Sequence, residues 1–202
     1  MSIKKRKAYE LEIIDLAFGG KGLAKPDGFP VFIDRCLPGD KVFAKITRKK
    51  KSWAEGKLIK ILEESELRKQ GRCAYCNYCG GCKWQQLDYN RQLSFKKQHV
   101  IDAIERIGKL KSVPVKDVIG SDPIFGYRNK MEFSCTDRRW LLPEELGNPD
   151  TEAGMALGLH VPGTFFKVLD IEACLLQPDL GNAILSDVRD YIKASPLPIY
   201  GL

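Results

Sequence analysis

No apolar run in this chain approaches the roughly 20 residues that a helix needs to cross a bilayer. The basic start Met1-Ser2-Ile3-Lys4-Lys5-Arg6-Lys7 leads into Tyr9-Glu10-Leu11-Glu12 instead of an apolar stretch, so no secretory signal and no membrane partner are expected. A phosphate loop is missing too. Gly19, Gly20 and Gly22 lack the GxxxxGK[ST] spacing and a following helix, and tight turns between strands explain them better. Also absent is the spacer of roughly 12 to 20 residues that separates the two cysteine pairs of a structural zinc site. Nothing marks a small disulfide-stapled secreted scaffold, and a cysteine-rich chain without a signal fits a reducing cytoplasm.

What the chain does have is Cys73, Cys76, Cys79 and Cys82 within ten residues, with Gly80 and Gly81 inside the run. An ordinary core offers no packing reason for that spacing. Thiolates two residues apart can turn toward one point, and the glycines let the backbone curl around it. Repeated C-x2-C resembles loops in which three cysteines hold corners of a [4Fe-4S] cluster while a fourth ligand arrives from elsewhere. Cys174, in Asp170-Ile171-Glu172-Ala173-Cys174, is the best remote candidate. Zinc is the alternative metal. Cys36 and Cys135 sit in strand-like segments and read as buried, inert thiols.

Charge is lopsided. Of the net +7, all belongs to residues 1 to 70, which carry 17 Lys and Arg against 10 Asp and Glu, whereas residues 71 to 202 balance at 16 and 16. That is the pattern of a polyanion-binding module followed by a neutral one, although clustered cations also make an ordinary solvated face. Residues 8 to 62 hold four or five short strands broken by turn signals, with Val42, Ala44 and Ile46 alternating with Phe43, Lys45 and Thr47. This suggests a small OB-like barrel, a fold whose loops often carry nucleic acid. Arg48, Lys49, Lys50 and Lys51 beside Trp53 form an expected hairpin tip, where cations could hold phosphate and the indole could stack a base.

After the cysteine loop a helix is expected from about Tyr89 to Ile107, with Leu93, Val100, Ile104 and Ile107 on one stripe and His99 hydrogen-bonded or exposed. Strand alternation returns at 127 to 135. Tyr127, Met131, Phe133 and Cys135 face one way, while Arg128 and Lys130, candidate RNA contacts, face the other with Glu132 and Ser134. Residues 136 to 152 read as a surface loop, and 153 to 161 with 164 to 171 as a hairpin around Pro162-Gly163 that ends near Cys174. A last helix runs from Pro178 to about Ala194, with Leu180, Ile184, Leu185, Val188 and Ile192 on one face.

These segments together resemble a known family. Cys73-x5-Cys79-x2-Cys82 with Gly80-Gly81 and Gln85-Gln86-Leu87, then Tyr127-Arg128-Asn129-Lys130, Leu157-Gly158-Leu159 and Asp170-Ile171-x2-Cys174, are similar to the iron-sulfur RNA (uracil-5-)-methyltransferases, in particular those acting on 23S ribosomal RNA. The resemblance implies a mainly β chain with α+β character: a TRAM barrel over 1–66, then an iron-sulfur central domain over 67–202 with an antiparallel sheet and helices. It implies Cys73, Cys79, Cys82 and Cys174 as ligands of a [4Fe-4S] cluster, with Cys76 an addition to the family pattern that leaves it a rival for the fourth place. It implies RNA as partner, ribosomal before transfer RNA, and a monomeric protein. The family's α/β methyltransferase domain, with its S-adenosylmethionine site, nucleophilic cysteine and base, has no counterpart before Leu202, and the helix at 89–107 is one that could pack on it. No catalytic residue is expected in this chain. A free-standing RNA-binding module and an iron-sulfur electron carrier remain as rival readings.

Overall fold

The computed structural model describes residues 2–199 and 201, so Met1, Tyr200 and Leu202 lie outside the described residues. The chain divides into two compact units, Met1–Gly71 with Lys83–Gly120, and Arg72–Cys82 with Ser121–Leu202. The boundary expected at residue 66 therefore falls inside a unit. Physically, the 65–68 segment is bound into the barrel: Arg68 pairs with the buried Asp40, donates to Gln86 Oε1 at 2.7 Å, and bridges to Leu87.

The first unit is a curled six-stranded sheet, made by β1 (Ala8–Glu12), β2 (Asp15–Leu16), β3 (Gly22–Ala24), β4 (Val31–Ile33), β5 (Lys41–Lys49) and β6 (Ala54–Glu63), in the order β1-β5-β6-β4-β3-β2. Every pairing is antiparallel except β4 with β6. The alternation of β5 does what the pleat requires, burying Val42, Ala44 and Ile46 while Lys41 and Lys45 reach water. Ile13, Val31, Ile33 and Ala54 complete that core. Gly39 turns the chain with φ at +93°, and a Cβ there would stand 2.9 Å from Ser65 Oγ.

Asp40 is fully buried, and its carboxylate is completely used: it accepts from Leu37 N at 2.6 Å, Ser65 N at 2.9 Å and the Arg68 guanidinium.

Helix α1 (Tyr89–Asp102) starts at the Asp88 cap, which accepts from Asn90 N, and ends in a π turn over Ala103–Ile107 that Gly108 closes on Ala103 O at 2.9 Å. Its buried face differs from the expected stripe. Val100 and Ile107 are exposed, whereas Phe95 packs with Leu16, Leu37, Leu87 and Trp84. The rotation follows from polar satisfaction: Gln92 donates to the carbonyls of Trp84 and Leu87, and His99 Nε2 lies 2.7 Å from Leu16 O.

In the second unit β7 (Ser134–Thr136), β8 (Ala156–His160) and β9 (Val168–Asp170) form an antiparallel sheet in that order, and α2 (Asp179–Ala194) follows. The strand expected at 127–135 shortens to its last residues, because Gly126 N and Arg128 N bond Leu175 O and Leu176 O instead of a neighbouring strand. Met131, Phe133 and Cys135 still turn to the core, and Tyr127 is exposed. The expected 136–152 loop contains a 3-10 turn at Pro143–Glu145 held by the forked Arg139–Glu145 pair, and it inserts Trp140 and Leu142 into the core. On α2 the inward face is Leu185, Arg189 and Ile192, while Leu180, Ile184 and Val188 point to water. Arg189 sets this rotation by pairing with Asp170 and donating to Leu157 O at 3.0 Å.

Candidate metal centre and nucleic-acid interface

The cysteine loop, residues 72 to 82, is a chain of turns. Cys76 N bonds Cys73 O, Tyr78 N and Cys79 N bond Tyr75 O, and Gly81 N points at Cys79 Sγ from 3.3 Å. Among the links that fasten it to the rest of its unit, Gly80 N donates to His160 O at 3.1 Å, and the Tyr75 hydroxyl accepts from Glu172 N at 3.2 Å. The second link lies two residues before Cys174. Cys174 itself is gripped from the first turn of α2, where Asn182 Oδ1 accepts from Cys174 N at 2.8 Å and Asn182 Nδ2 donates to Cys174 O at 3.2 Å.

Cys79 and Cys174 are buried in the same apolar core, with Cys82 packed against it. Burial is the main cause that raises the Cys79 thiol above its ordinary range, and neighbouring Cys82, Cys174 and Cys73 add to it. Burial likewise raises Cys73, which feels Cys76 and Cys174. Cys79 thus lies in electrostatic reach of Cys73, Cys82 and Cys174, and Cys73 in reach of Cys76 and Cys174, some 90 to 100 residues away in sequence for Cys174. Cys76 acts on Cys73, and its Sγ lies 3.9 Å from Asn77 Oδ1. Among the described residues, no group of three or more His, Cys, Asp or Glu is gathered closely enough to hold one metal ion. A tetrahedral zinc needs four ligands about 2.3 Å from a single point, whereas thiolates of an iron-sulfur cluster bind separate irons. In kind, four thiols with apolar surroundings are donors that suit such a cluster.

Asn182 and Tyr75 were not singled out by sequence. An Asn eight residues past a cysteine, at a helix start, was the available signal, since Asn favours bonds to nearby backbone.

In the first unit the expected cationic tip is present. The turn after Lys49 closes with Lys50 N on Trp53 O at 2.8 Å. Arg48 lies 5.2 Å over the Trp53 ring, Trp53 meets Phe32 edge to face at 6.2 Å, and Lys49 stands 5.8 Å over Phe29. Lys50 and Lys51 extend into solvent. Arg48 also sits 3.9 Å from Glu55, whose other oxygen holds Lys21 at 2.7 Å.

Residues 4–59 match the TRAM domain. The cationic tip thus belongs to the TRAM match. Of the other two basic candidates, Arg128 donates to Gly81 O at 3.1 Å and so braces the cysteine loop, while Lys130 is exposed, with Glu132 at 3.9 Å.

Comparison extends the likeness beyond the TRAM region. A protein of Porphyromonas gingivalis (strain ATCC BAA-308 / W83) named an uncharacterized RNA methyltransferase is 38% identical over 190 residues, covering 92% of this chain and 41% of that protein. One of the same name from Bacteroides thetaiotaomicron is 41% identical over 177 residues, 87% of this chain and 39% of that protein. The crystal structure of Pyrococcus abyssi tRNA (uracil-54, C5)-methyltransferase in complex with S-adenosyl-L-homocysteine shares the fold, with a TM-score of 0.53 and 21% identity over 91% of this chain and 39% of that one. The chain spans about two fifths of the length of these relatives. No described helix is long and apolar enough to cross a membrane.

Proposed function

We propose that this chain is the RNA-recognising, cluster-holding portion of an S-adenosylmethionine-dependent RNA (uracil-5-)-methyltransferase that modifies 23S ribosomal RNA in the cytoplasm. The observation that carries the reading is identity of 38 and 41%, across about nine tenths of this chain, to proteins named RNA methyltransferases. The fold shared with a solved tRNA (uracil-54, C5)-methyltransferase supports uracil as the target base. The choice of ribosomal RNA rests on the cysteine pattern and its resemblance, since that solved relative is named for transfer RNA.

In this reading Arg48, Lys49, Lys50, Lys51 and Trp53 of the TRAM barrel hold the RNA backbone and a base, with Lys130 adding charge in the second unit. Arg128 is a brace for the cysteine loop. Cys73, Cys79, Cys82 and Cys174 would hold a [4Fe-4S] cluster, whose contribution when bound is to tie residue 82 to residue 174 in a small unit. Methyl transfer belongs to the portion that the longer relatives possess beyond the likeness. The test is tritium transfer from labelled S-adenosylmethionine by the full-length parent, offered 23S ribosomal RNA and transfer RNA separately. Label in 5-methyluridine of the ribosomal RNA is the expected result; label in transfer RNA alone would overturn the target.

The TRAM match with its aromatic and cationic tip also favours a second reading, a binding module without catalysis. RNA binding by a parent that transfers no methyl group to either RNA would establish that alternative.

A further inference from the structure

The turn between β8 and β9 displays two adjacent phenyl rings, with Phe165 exposed by 74% and Phe166 by 63%. Burying a phenyl side chain stabilises a fold by roughly 1.5–3 kcal/mol, so two of them in water on a well-formed turn mark a surface built for something else. The turn is ordered by its own bonds: Val161 N donates to Lys167 O at 2.9 Å, Thr164 Oγ1 donates to Val161 O at 2.8 Å, and Gly163 takes φ +72°.

Phe165 is also held flat. Its ring stacks on the His160 imidazole with centroids 5.7 Å apart and planes 16° from parallel. His160 is in turn pinned by Ser134 Oγ, 2.8 Å from Nε2, and its Nδ1 is shielded from solvent without a protein partner. The imidazole thereby backs part of the phenyl as an offset, near-parallel ring, and the high exposure leaves most of the phenyl to water. Two residues on in the chain, Lys167 carries an ammonium 5.9 Å over the Trp140 ring. An exposed aromatic ring with a cation two residues on in the same turn is complementary to an unpaired base and its phosphate. An apolar peptide helix would need a groove with several anchors at helical spacing, which a single turn does not supply.

We infer that Phe165, backed by His160, is a stacking platform for an unpaired base of single-stranded RNA, with Lys167 at its phosphate. The inference rests on the reading that this chain binds RNA, and it adds a contact in a unit that carries 8 Lys and Arg against 12 Asp and Glu, where stacking must do what charge does in the barrel. It also places that contact on the hairpin whose His160 carbonyl receives Gly80 of the cysteine loop.

The experiment is fluorescence anisotropy with a labelled twelve-nucleotide oligoadenylate and a duplex RNA of equal length, across a salt series. Phe165→Ala should weaken oligoadenylate binding by roughly tenfold, leave the duplex unaffected and leave the salt slope unchanged, while Phe165→Trp retains wild-type affinity. Replacing Arg48, Lys49, Lys50 and Lys51 by Ala should instead flatten the salt slope for both RNAs. If those charge replacements weaken binding and Phe165→Ala does not, the platform is wrong and the RNA reading stands. If the wild type binds neither RNA, both fall. Self-association that Phe165→Ala abolishes would assign the rings to a second copy and overturn the inference.

Discussion

Gly80 donates its backbone N–H to the carbonyl of His160 at 3.1 Å, and a Cβ on residue 80 would stand 3.0 Å from that same oxygen and 3.6 Å from Pro162. The cysteine loop therefore lies on the end of β8 with no room for a side chain. Gly80→Ala is expected to destabilise the fold by about 1–3 kcal/mol, as overpacking does. Denaturant unfolding measures it, and an unchanged midpoint would show that the loop moves freely.

Cys174 and Cys76 are the rivals for the fourth ligand place, which the proposal gives to Cys174. After anaerobic purification, Cys174→Ala should lose its iron and acid-labile sulfide, while Cys76→Ala should keep both. Stoichiometric zinc without sulfide in the wild type would remove the cluster from the account.

Asp40 and Arg68 form a buried pair in which the carboxylate has further backbone donors. Removing one partner strands a buried charge, so Arg68→Met should lower unfolding free energy by about 3–5 kcal/mol. Equilibrium unfolding in urea reads this directly, and a change below about 1 kcal/mol would mean that water reaches the carboxylate.

Cys36 gives a pH dependence. Burial, with the Asp40 carboxylate beside it, pushes its thiol from the ordinary 9.0 up to about 12. A group that keeps its proton longer when folded stabilises the native state below the unfolded value, and the contribution disappears as pH climbs from about 9 to about 12. Stability should fall in that window by up to roughly 1.4 kcal/mol per pH unit from this group, and Cys36→Ala should show a shallower decline. Parallel curves for the two proteins would refute the linkage.

At the barrel tip, each lysine or arginine that pairs with a phosphate contributes to counterion release. Alanine at Lys50 and Lys51 should reduce the slope of log affinity against log salt by about 0.7 per lost contact on single strands. An unchanged slope would make the tip a solvated loop.

Much of this fold was legible from local pattern. The pleat of Val42, Ala44 and Ile46, the hairpin at Pro162-Gly163 and the span of α2 followed from alternation, turn chemistry and helical period, which depend on neighbours in sequence. Helix rotation did not follow. Gln92 and His99 turn α1 toward carbonyls of Trp84, Leu87 and Leu16, and Arg189 turns α2 toward Leu157 O; apolar counting sees none of these acceptors. The cysteines of the site were conspicuous by spacing, but their supports were not. Arg128 looked like an RNA contact because its long-range acceptor, Gly81 O, is 47 positions away.

The second unit is discontinuous, because residues 83 to 120 belong to the first. That gives the thiol centre a timetable. At a synthesis rate of about 5–20 residues per second, Cys82 leaves the peptidyl-transferase centre roughly 5–20 s before Cys174, and Asn182 comes later still. During that interval the nascent chain carries the loop thiols with neither the buried partner nor the helix that grips it. Oxidation or premature metal capture at this stage would be a hazard of biosynthesis, and the order of residues along the chain, more than the finished geometry, determines how long it lasts.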